Sequence, residues 1–234
     1  MSRPANLFML RELLAAKTSM ERVYFYVVAR DFGFAPNPFH GMCTLATCKP
    51  TIRRTARAGD WVVGMGGAKL DAVGRCIYAM QVTDARTFES YWEELEFRAK
   101  RPVRNGSRKT IVGDNIYYRS APSKKWQQED SHHSKPDGSP DPHNIQHDTQ
   151  TNRVLISSRF YYFGKSAPLV PEEILGDLGF RNGIGHRVFP IQDAQPFLLW
   201  LDASFGSQVN LVLGDPFQFK QSTARYSKKA DKVI

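Results

Sequence analysis

Short apolar runs alternate with turn-rich stretches along most of the chain, a pattern typical of a mixed fold of helices and strands. Residues 23–29 are rich in β-branched and aromatic side chains and have the length of one strand, so they predict a buried strand. Similar runs predict further strands at 61–64, 77–82 and 153–163. The sequence therefore predicts a single mixed α+β domain with a central, mostly antiparallel sheet and flanking helices.

Two helices are predicted between these strands. Residues 49–58 contain Pro50, which suits a first helical turn, and Gly59 follows as a C-terminal cap. Residues 87–97 carry large apolar side chains at steps of three and four, which predicts that one face packs on the core. That face comprises Phe88, Tyr91, Trp92 and Leu95.

The stretch from Arg30 to Lys49, here called the phenylalanine loop, follows the first predicted strand. Two prolines and two glycines interrupt regular structure there, yet the stretch carries Phe32, Phe34 and Phe39. A solvated connector does not usually hold three large apolar rings, so we expect a packed loop of fixed shape. Its polar side chains either cap turns or face a ligand, and both readings fit the pattern. These side chains are Asp31, Asn37, Cys43, Thr44, Cys48 and Lys49.

Several blocks of this sequence resemble a known family. The blocks are 29–39 (ARDFGFAPNPF), 43–50 (CTLATCKP), 59–64 (GDWVVG), 113–118 (GDNIYY) and 160–164 (FYYFG). They are similar to the signature of nucleotide modification associated domain 2, over roughly residues 20–215. The resemblance implies an association with phage and bacterial systems that modify nucleic-acid bases, and with their partner proteins. It implies no particular reaction and no catalytic residue.

The helix, turn and strand at 49–64 also occur in small β-barrels of the PUA, ASCH and EVE kind. Those barrels bind RNA or read modified bases, so a PUA- or ASCH-like barrel is one expected form of the sheet. The likeness is one of fold alone, and helix–turn–strand units occur in many folds.

Charge indicates a polyanionic partner. The chain has 32 lysines and arginines against 23 acidic residues, a net charge of +9, and 12% aromatic residues. Such a basic balance fits nucleic acid or a nucleotide. No apolar run approaches the roughly 20 residues needed to cross a bilayer, so no membrane partner is expected. Three cysteines without a secretory signal indicate a reducing cytoplasm.

Basic side chains cluster in two places. Arg53, Arg54 and Arg57 fall on the predicted helix at 49–58, as a solvated face or as an edge that contacts phosphate. Residues 98–109 hold six positive charges and are expected to form a flexible surface loop, with or without a phosphate partner. Arg159 lies beside two tyrosines in the sequence and is expected to reach the cleft that holds the nucleotide or nucleic acid.

Polar and aromatic side chains meet again at 113–119. Asp114 and Asn115 favour turns, but they can also bond the edge of a base, while Tyr117 and Tyr118 can stack on its face. Farther along, one histidine and one aspartate, His133 and Asp148, would suit general acid–base chemistry if the fold joins them.

Residues 120–150 are rich in Ser, Pro, Asp and His and are expected to form an irregular insert. His143 and His147 have a chelating spacing if helical, but the prolines around them favour irregular chain. The cysteines lack C-x-x-C spacing. The sequence therefore predicts neither a metal nor a cofactor.

The domain is expected to span residues 20–215, followed by a loose basic tail at 216–234. Residues 1–19 are expected to be an appended segment, with leucines that can line a short helix. Alternatively, translation starts at Met20.

Three functions fit these patterns. The first is a binding module that holds a base in a polar, aromatic cleft with a basic edge. The second is an enzyme that acts on a nucleobase or nucleotide, and the third is a non-catalytic subunit of a modification or defence system. The nucleotide-binding candidates are Asn37, Phe39, Thr44, Lys49, Arg53, Arg54, Asn115, Tyr117, Tyr118 and Arg159. The catalytic candidates are Asp31, Cys43, Asp114, His133 and Asp148.

Overall fold

The computed structural model describes residues 21–119 and 125–234. The strands are β1 (Arg22–Val28), β2 (Cys43–Leu45), β3 (Trp61–Gly66), β4 (Cys76–Gln81), β5 (Asp84–Arg86), β6 (Tyr117–Arg119), β7 (Trp126–Gln128), β8 (Val154–Ser157), β9 (Arg159–Tyr162), β10 (His186–Pro190), β11 (Tyr226–Ser227) and β12 (Lys232–Val233). The α-helices are α1 (Pro50–Thr55), α2 (Phe88–Glu93), α3 (Arg108–Ile111), α4 (Pro142–Asp148), α5 (Glu172–Asp177) and α6 (Gln195–Phe205). Short 3₁₀ helices occur at Ala68–Leu70, Leu95–Lys100, Gly164–Ser166, Gly206–Gln208 and Phe219–Gln221.

The central sheet has five strands in the order β10-β1-β3-β4-β9. Strands β1 and β3 run parallel, with Tyr24 opposite Val62, and the other neighbours run antiparallel. Strand β1 lies between β10 and β3, and its residues are buried along most of its length. This arrangement confirms the predicted mixed α+β fold with a mostly antiparallel sheet. The likeness to PUA or ASCH barrels stays a prediction.

A second sheet, in the order β2-β8-β5, lies beside the first, and β6-β7 and β11-β12 form two antiparallel pairs. Two apolar clusters correspond to this division. One surrounds the central sheet, and the other contains the side chains of the phenylalanine loop together with α2. Phe32, Phe34 and Phe39 are each no more than 4% exposed, which confirms the packed loop. Burying a ring of this size contributes about 1.5–3 kcal/mol.

The predicted helices are shorter in the structure. Helix α1 ends at Thr55, with Ala56 as its C-cap, and Gly59 lies beyond it in a separate turn with φ of 99°. Helix α2 has Thr87 as its N-cap and ends at Glu93, after which the chain continues as a 3₁₀ helix. The change of helix type turns Leu95 out of the predicted face, and Leu95 is 80% exposed.

Three expected surface segments contribute to the interior instead. Lys100 belongs to the predicted basic loop but is fully buried, and its ammonium donates to Asn37 and Met42. The segment predicted to be irregular contains α4, which begins because the carboxylate of Asp141 accepts from the amides of His143 and Asn144. The C-terminal residues form β11 and β12, and the amide of Tyr226 donates to the carbonyl of His132. The predicted segment 1–19 lies outside the described residues.

Candidate functional site

A cavity of about 560 Å³ opens where the end of β1 meets the phenylalanine loop, α1, α4 and β11. This volume falls within the usual range of small-molecule sites, about 300–1,000 Å³. The wall contains apolar and aromatic side chains as well as amides, histidines and cations. The lining residues are Tyr26, Val27, Val28, Ala29, Arg30, Phe32, Phe34, Ala35, Cys48, Lys49, Pro50, Thr51, Ile52, His132, His133, Asn144, His147, Gln150, Gly185, His186, Tyr226, Lys228 and Asp231.

Two adjacent histidines are packed between aromatic rings at one side of the cavity. The ring centres of Phe32 and His132 are 4.4 Å apart, and those of Phe34 and His133 are 4.7 Å apart. From the opposite direction, Tyr226 lies 5.6 Å from His133. The phenylalanine loop and the C-terminal strand pair thus hold the two imidazoles in place together.

The same side of the cavity is fixed by hydrogen bonds to the main chain. The side-chain amide of Asn144 donates to the carbonyls of His133 and Tyr226, both at 2.7 Å. The side-chain amide of Gln128 donates to the carbonyl of His133 at 3.0 Å and to the hydroxyl of Tyr117 at 3.1 Å. These bonds fix the main chain that carries His133, so the ring has little freedom to move.

Cations form another part of the cavity wall. The ammonium of Lys49 lies 4.2 Å from the ring centre of Tyr26, and no acidic side chain among the described residues forms a salt bridge with it. Burial lowers the pKa of Lys49, the charge of Cys48 partly opposes this effect, and the charge of Lys228 lowers the pKa further. Burial, followed by the charge of Lys49, also lowers the pKa of His186. This part of the cavity therefore has a positive potential that suits an anion.

Cys48, His133 and Asp148 lie in a row at the cavity wall. The sulfur of Cys48 is 3.8 Å from Nε2 of His133, and Nδ1 of the same ring is 2.7 Å from Oδ2 of Asp148. Cys48 is partly exposed, whereas His133 and Asp148 are buried. Asp148 lies behind the histidine and is not part of the lining.

Asp148 is held by several donors. Its Oδ2 accepts from the hydroxyl of Tyr117 at 2.9 Å, and its Oδ1 accepts from the amide of Cys48 at 2.8 Å. Nδ1 of His147 lies 3.2 Å from Oδ1. The main-chain carbonyl of Asp148 accepts from the guanidinium of Arg53. Both carboxylate oxygens are therefore occupied, and the carboxylate has a fixed orientation toward His133.

Electrostatics separate the protonation states of the two histidines. Burial alone would lower the pKa of His133, but the charges of Asp148 and then of Cys48 raise it to about 10. Burial would raise the pKa of Asp148, but His133 and further donors hold it well below its usual range. Burial, with the neighbouring charge of His133, lowers the pKa of His132 to about 3. At neutral pH His133 is an imidazolium and His132 is neutral.

The backbone at Cys48 has an unusual conformation. Cys48 and Lys49 are consecutive non-glycine residues with φ of 57° and 38°. Side chains disfavour this region, so the conformation persists only where contacts enforce it. Here the carbonyl of Cys48 accepts from Nε of Arg53 at 2.8 Å, and its amide donates to Asp148. Buried Arg53 and Asp148 thereby set the direction of the Cys48 side chain.

Only some of the predicted site residues meet at the cavity. Lys49 and His133 line it, and Asp148 and Tyr117 stand directly behind His133. Arg53 is fully buried, and its four guanidinium hydrogen bonds go to main-chain carbonyls. It therefore supports the loop and has no exposed face for a phosphate.

A second group of predicted residues forms a buried polar network away from the cavity. Asp114 accepts from the hydroxyls of Thr44 at 2.7 Å and Tyr91 at 2.8 Å. The ammonium of Lys100 donates to the side chain and the main chain of Asn37, both at 2.9 Å. Burial raises the pKa of Asp114 and lowers that of Lys100 to about 8. The network joins the phenylalanine loop, which includes β2, to α2.

The remaining predicted residues are dispersed. Asp31 is buried and accepts from Tyr162 and from two main-chain amides, while Phe39 stacks on Phe219. Asn115 donates to carbonyls of Tyr91 and Phe97, and Tyr118 stacks on Trp92. Cys43 is fully buried, and burial raises its pKa to about 12. Arg54 is exposed, and Arg159 forms an exposed salt bridge with Asp202 at 3.0 Å.

Cys48, His132, Tyr226 and Lys228 are among the cavity residues that the predicted site did not include. Cys48 had been noted only as a polar member of the phenylalanine loop. The sequence signal that could have identified Cys48 is its position directly before Lys-Pro at the start of a helix, because that position marks a sharp change of chain direction. Tyr226 and Lys228 lie in the expected loose tail, and local sequence gives no sign that this tail reaches the cavity.

Cys48, His133 and Asp148 also offer three donor atoms that lie within 4.8 Å of one another. Thiolate, imidazole and carboxylate are all ligands of zinc. However, Nδ1 of His133 is bonded to Asp148, so only Nε2 faces the sulfur. In this geometry the carboxylate of Asp148 bonds Nδ1 and so lies on the other side of the ring from the sulfur.

Comparison with known proteins places these features in a family. Among the described residues, no helix combines the length and the apolar character that crossing a bilayer requires. No curated protein matches the chain, and no solved structure does so. The family model for nucleotide modification associated domain 2 matches residues 20–223, which include the phenylalanine loop, His133 and Asp148. The chain therefore belongs to the nucleotide modification associated domain 2 family.

Proposed function

We propose that the protein binds a nucleotide in the cavity, with the base against the aromatic wall and a phosphate near Lys49. The observation that carries the proposal is the position of Lys49. Its ammonium lies inside an aromatic cavity and forms no salt bridge with a carboxylate among the described residues, and its charged neighbours are Cys48 and the like charge of Lys228. Such an arrangement is costly without an anion and favourable with one.

The other parts of the cavity suit the base and sugar. Phe32, Phe34 and Tyr226 provide ring surfaces, and bases stack on such rings with about 1–3 kcal/mol each. The side chain of Gln150 is exposed at the wall and supplies an amide that can donate to and accept from a base edge. The family association with nucleotide modification is consistent with this ligand.

The nucleotide can be free or part of a nucleic-acid strand, and the net charge of +9 suits both ligands. In a nucleic-acid strand, the exposed side chains of Arg54 on α1 and Arg57 just beyond it are placed to contact neighbouring phosphates, as the sequence predicted for Arg54. The cytoplasmic location and a partner within a modification system stay predictions.

A binding titration tests the proposal. Nucleoside monophosphates, the matching nucleosides, single-stranded oligonucleotides and duplex DNA are titrated separately at several salt concentrations. We expect monophosphates to bind more tightly than nucleosides, because only the former carry the anion. Tighter binding of single strands with a steep salt dependence would identify the polymer as the source of the nucleotide.

A matched pair of lysine variants locates the anion. Lys49→Ala should weaken nucleotide binding about tenfold or more, because a charge-assisted hydrogen bond contributes about 1.5–3 kcal/mol. Lys229→Ala removes an equal charge from an exposed position outside the cavity and should leave affinity for free nucleotides unchanged. Equal affinities for nucleoside and monophosphate, or equal effects of both variants, would contradict the proposal.

A further inference from the structure

The row of Cys48, His133 and Asp148 has the geometry of a nucleophile, a base and an orienting carboxylate. The two ring nitrogens of His133 are divided between the partners, with Nε2 3.8 Å from the sulfur and Nδ1 2.7 Å from Asp148. In cysteine enzymes that form covalent intermediates, the nucleophile lies within reach of a base, and a third group orients that base. Apo sites often show a looser contact between nucleophile and base.

The three cysteines differ in their access to the cavity. Cys43 and Cys76 are fully buried, and burial raises the pKa of both thiols. Cys48 is partly exposed and lines the cavity, and its sulfur faces an imidazolium. Reactive cysteines occupy partly exposed positions beside a positive charge, whereas buried structural cysteines are inert.

The strained backbone supplies an independent observation. Two consecutive left-handed residues, Cys48 and Lys49, are held by hydrogen bonds from Arg53 and to Asp148. Strained backbone of this kind clusters at active sites. The same carboxylate that orients His133 also bonds the amide of Cys48, so one group sets both ends of the sulfur–imidazole contact.

We propose that Cys48 is a catalytic nucleophile, with His133 as its acid–base partner and Asp148 as the positioning residue. The substrate is an acyl group, an ester or amide, carried by the nucleotide that the cavity binds. The identity of the carrier rests on the proposed nucleotide function, whereas the covalent chemistry rests on the three side chains alone.

The reaction is an acyl transfer to water. The thiolate of Cys48 attacks the acyl carbon and forms a carbon–sulfur bond. The bond from that carbon to the amine or alcohol leaving group then breaks, and the leaving group takes the proton from Nε2 of His133. Water attacks the resulting thioester and gives a proton to neutral Nε2. The carboxylic acid leaves, and the thiolate and imidazolium are restored.

The first experiment measures alkylation of Cys48 by iodoacetamide as a function of pH, followed by intact mass and peptide mapping. A cysteine whose thiolate is stabilised reacts at acidic pH, where an ordinary thiol is almost fully protonated. At pH 6 we expect Cys48 to react at least about tenfold faster than a cysteine peptide. A rate equal to that of the peptide would overturn the proposal without any variant.

Two histidine variants separate a direct role from a structural one. His133→Gln should shift the alkylation profile of Cys48 to alkaline pH. His143→Gln changes an exposed histidine on α4 and should leave the profile unchanged. Asp148→Asn should also shift the profile, because the imidazolium loses its partner. An unchanged profile in His133→Gln would overturn the assignment of His133.

A second experiment tests the acyl step with 4-nitrophenyl acetate. We expect a burst of nitrophenol and an acetyl adduct on Cys48, both absent in Cys48→Ala. Absence of the burst and of the adduct in the wild type would overturn the proposed chemistry. Metal analysis of the native protein tests the alternative that Cys48 is a zinc ligand. One zinc per chain in the wild type, lost in Cys48→Ser, would overturn the proposal that Cys48 is a free nucleophile.

Protection by nucleotides distinguishes this inference from the proposed function. If alkylation is fast at pH 6 but monophosphates neither bind nor protect Cys48, the nucleophile stands and the nucleotide proposal fails. If monophosphates bind while Cys48 reacts like a peptide, the nucleotide proposal stands and the nucleophile fails.

Discussion

Nδ1 of His133 lies 2.7 Å from Oδ2 of Asp148, and both side chains are buried. The two residues come from a segment with few aliphatic side chains, yet they form the centre of the site. Asp148 ends α4, while His133 precedes the helix and packs between Phe34 and Tyr226. The contact therefore joins the phenylalanine loop, the segment before α4 and the C-terminal strand pair.

Removing the charge of Asp148 should destabilise the protein strongly. Asp148→Asn leaves the buried imidazolium of His133 without its counterion, and breaking a buried ion pair in this way costs about 3–5 kcal/mol. Urea denaturation followed by fluorescence measures the change. Asp137→Asn makes the same chemical change at an exposed turn and should leave the free energy of unfolding nearly unchanged. Equal effects of the two variants would contradict the pairing.

Stability should depend on pH through the two neighbouring histidines, with a maximum near pH 6.5. The pKa of His133 is raised to about 10, so its stabilisation is complete below about 6.5 and is lost as the pH rises toward 10. The pKa of His132 is lowered to about 3, so protonation of the unfolded chain reduces stability as the pH falls below about 6.5.

The alkaline side of this profile reports mainly His133 between about pH 7.5 and 8, because His40 and His186, whose pKa values burial lowers, are largely neutral in both states there. Above pH 8 the lowered pKa of Lys100 adds a contribution of opposite sign, because the unfolded chain then holds the proton more tightly. The free energy of unfolding should fall by at most about 1.4 kcal/mol per pH unit in that window. His133→Gln should abolish this fall, and His143→Gln should retain it. A flat profile in the wild type would contradict the raised pKa.

Adjacent arginines on α1 should behave in opposite ways. Arg53→Ala removes four hydrogen bonds to buried carbonyls and should lower the free energy of unfolding by more than about 3 kcal/mol. Arg54→Ala alters an exposed side chain and should stay within about 0.5 kcal/mol of the wild type. For binding to a nucleic-acid strand we expect the reverse. Arg54→Ala should reduce the salt dependence of binding while the protein stays folded, whereas Arg53→Ala should act only through the loss of stability. Similar unfolding curves for both variants would contradict the buried position of Arg53.

Buried Lys100 should matter far more than a lysine of the neighbouring surface. Lys100→Ala removes three hydrogen bonds to acceptors on Asn37 and Met42 and the positive charge near Asp114. We expect a loss of more than about 3 kcal/mol in chemical denaturation. Lys109→Ala, at an exposed position, should have an effect below about 0.5 kcal/mol. A mild effect of Lys100→Ala would show that the polar network contributes little to stability.

Thiol labelling under native conditions should separate the cysteines by position. Cys48 lines the cavity, whereas Cys43 and Cys76 are fully buried. A maleimide probe should modify one thiol rapidly in the folded protein and all three in urea. Peptide mapping identifies the rapid site, and rapid labelling of Cys43 in folded protein would contradict the structure.

Local sequence determined much of the secondary structure. The β-branched and aromatic run at 23–29 specified β1, because a strand of such residues is stable only when it is buried in a sheet. Three phenylalanines among prolines and glycines specified a packed loop, because rings of that size must be covered. Short-range patterns were less reliable at helix ends. The pattern predicted an α-helix through residue 97, but the chain forms a 3₁₀ helix from Leu95 onward.

Only the tertiary structure decided which polar residues share a site. Cys48 and Asp148 are 100 residues apart, and Tyr226 comes from the C-terminal segment, yet all three meet at His133 or beside it. Sequence cannot show such meetings, because hydrogen bonds and ring contacts across long separations depend on how the sheets pack. The same packing buried Arg53 and Lys100, which the charge pattern placed at the surface. Their charges are satisfied by carbonyls that only the folded chain brings together.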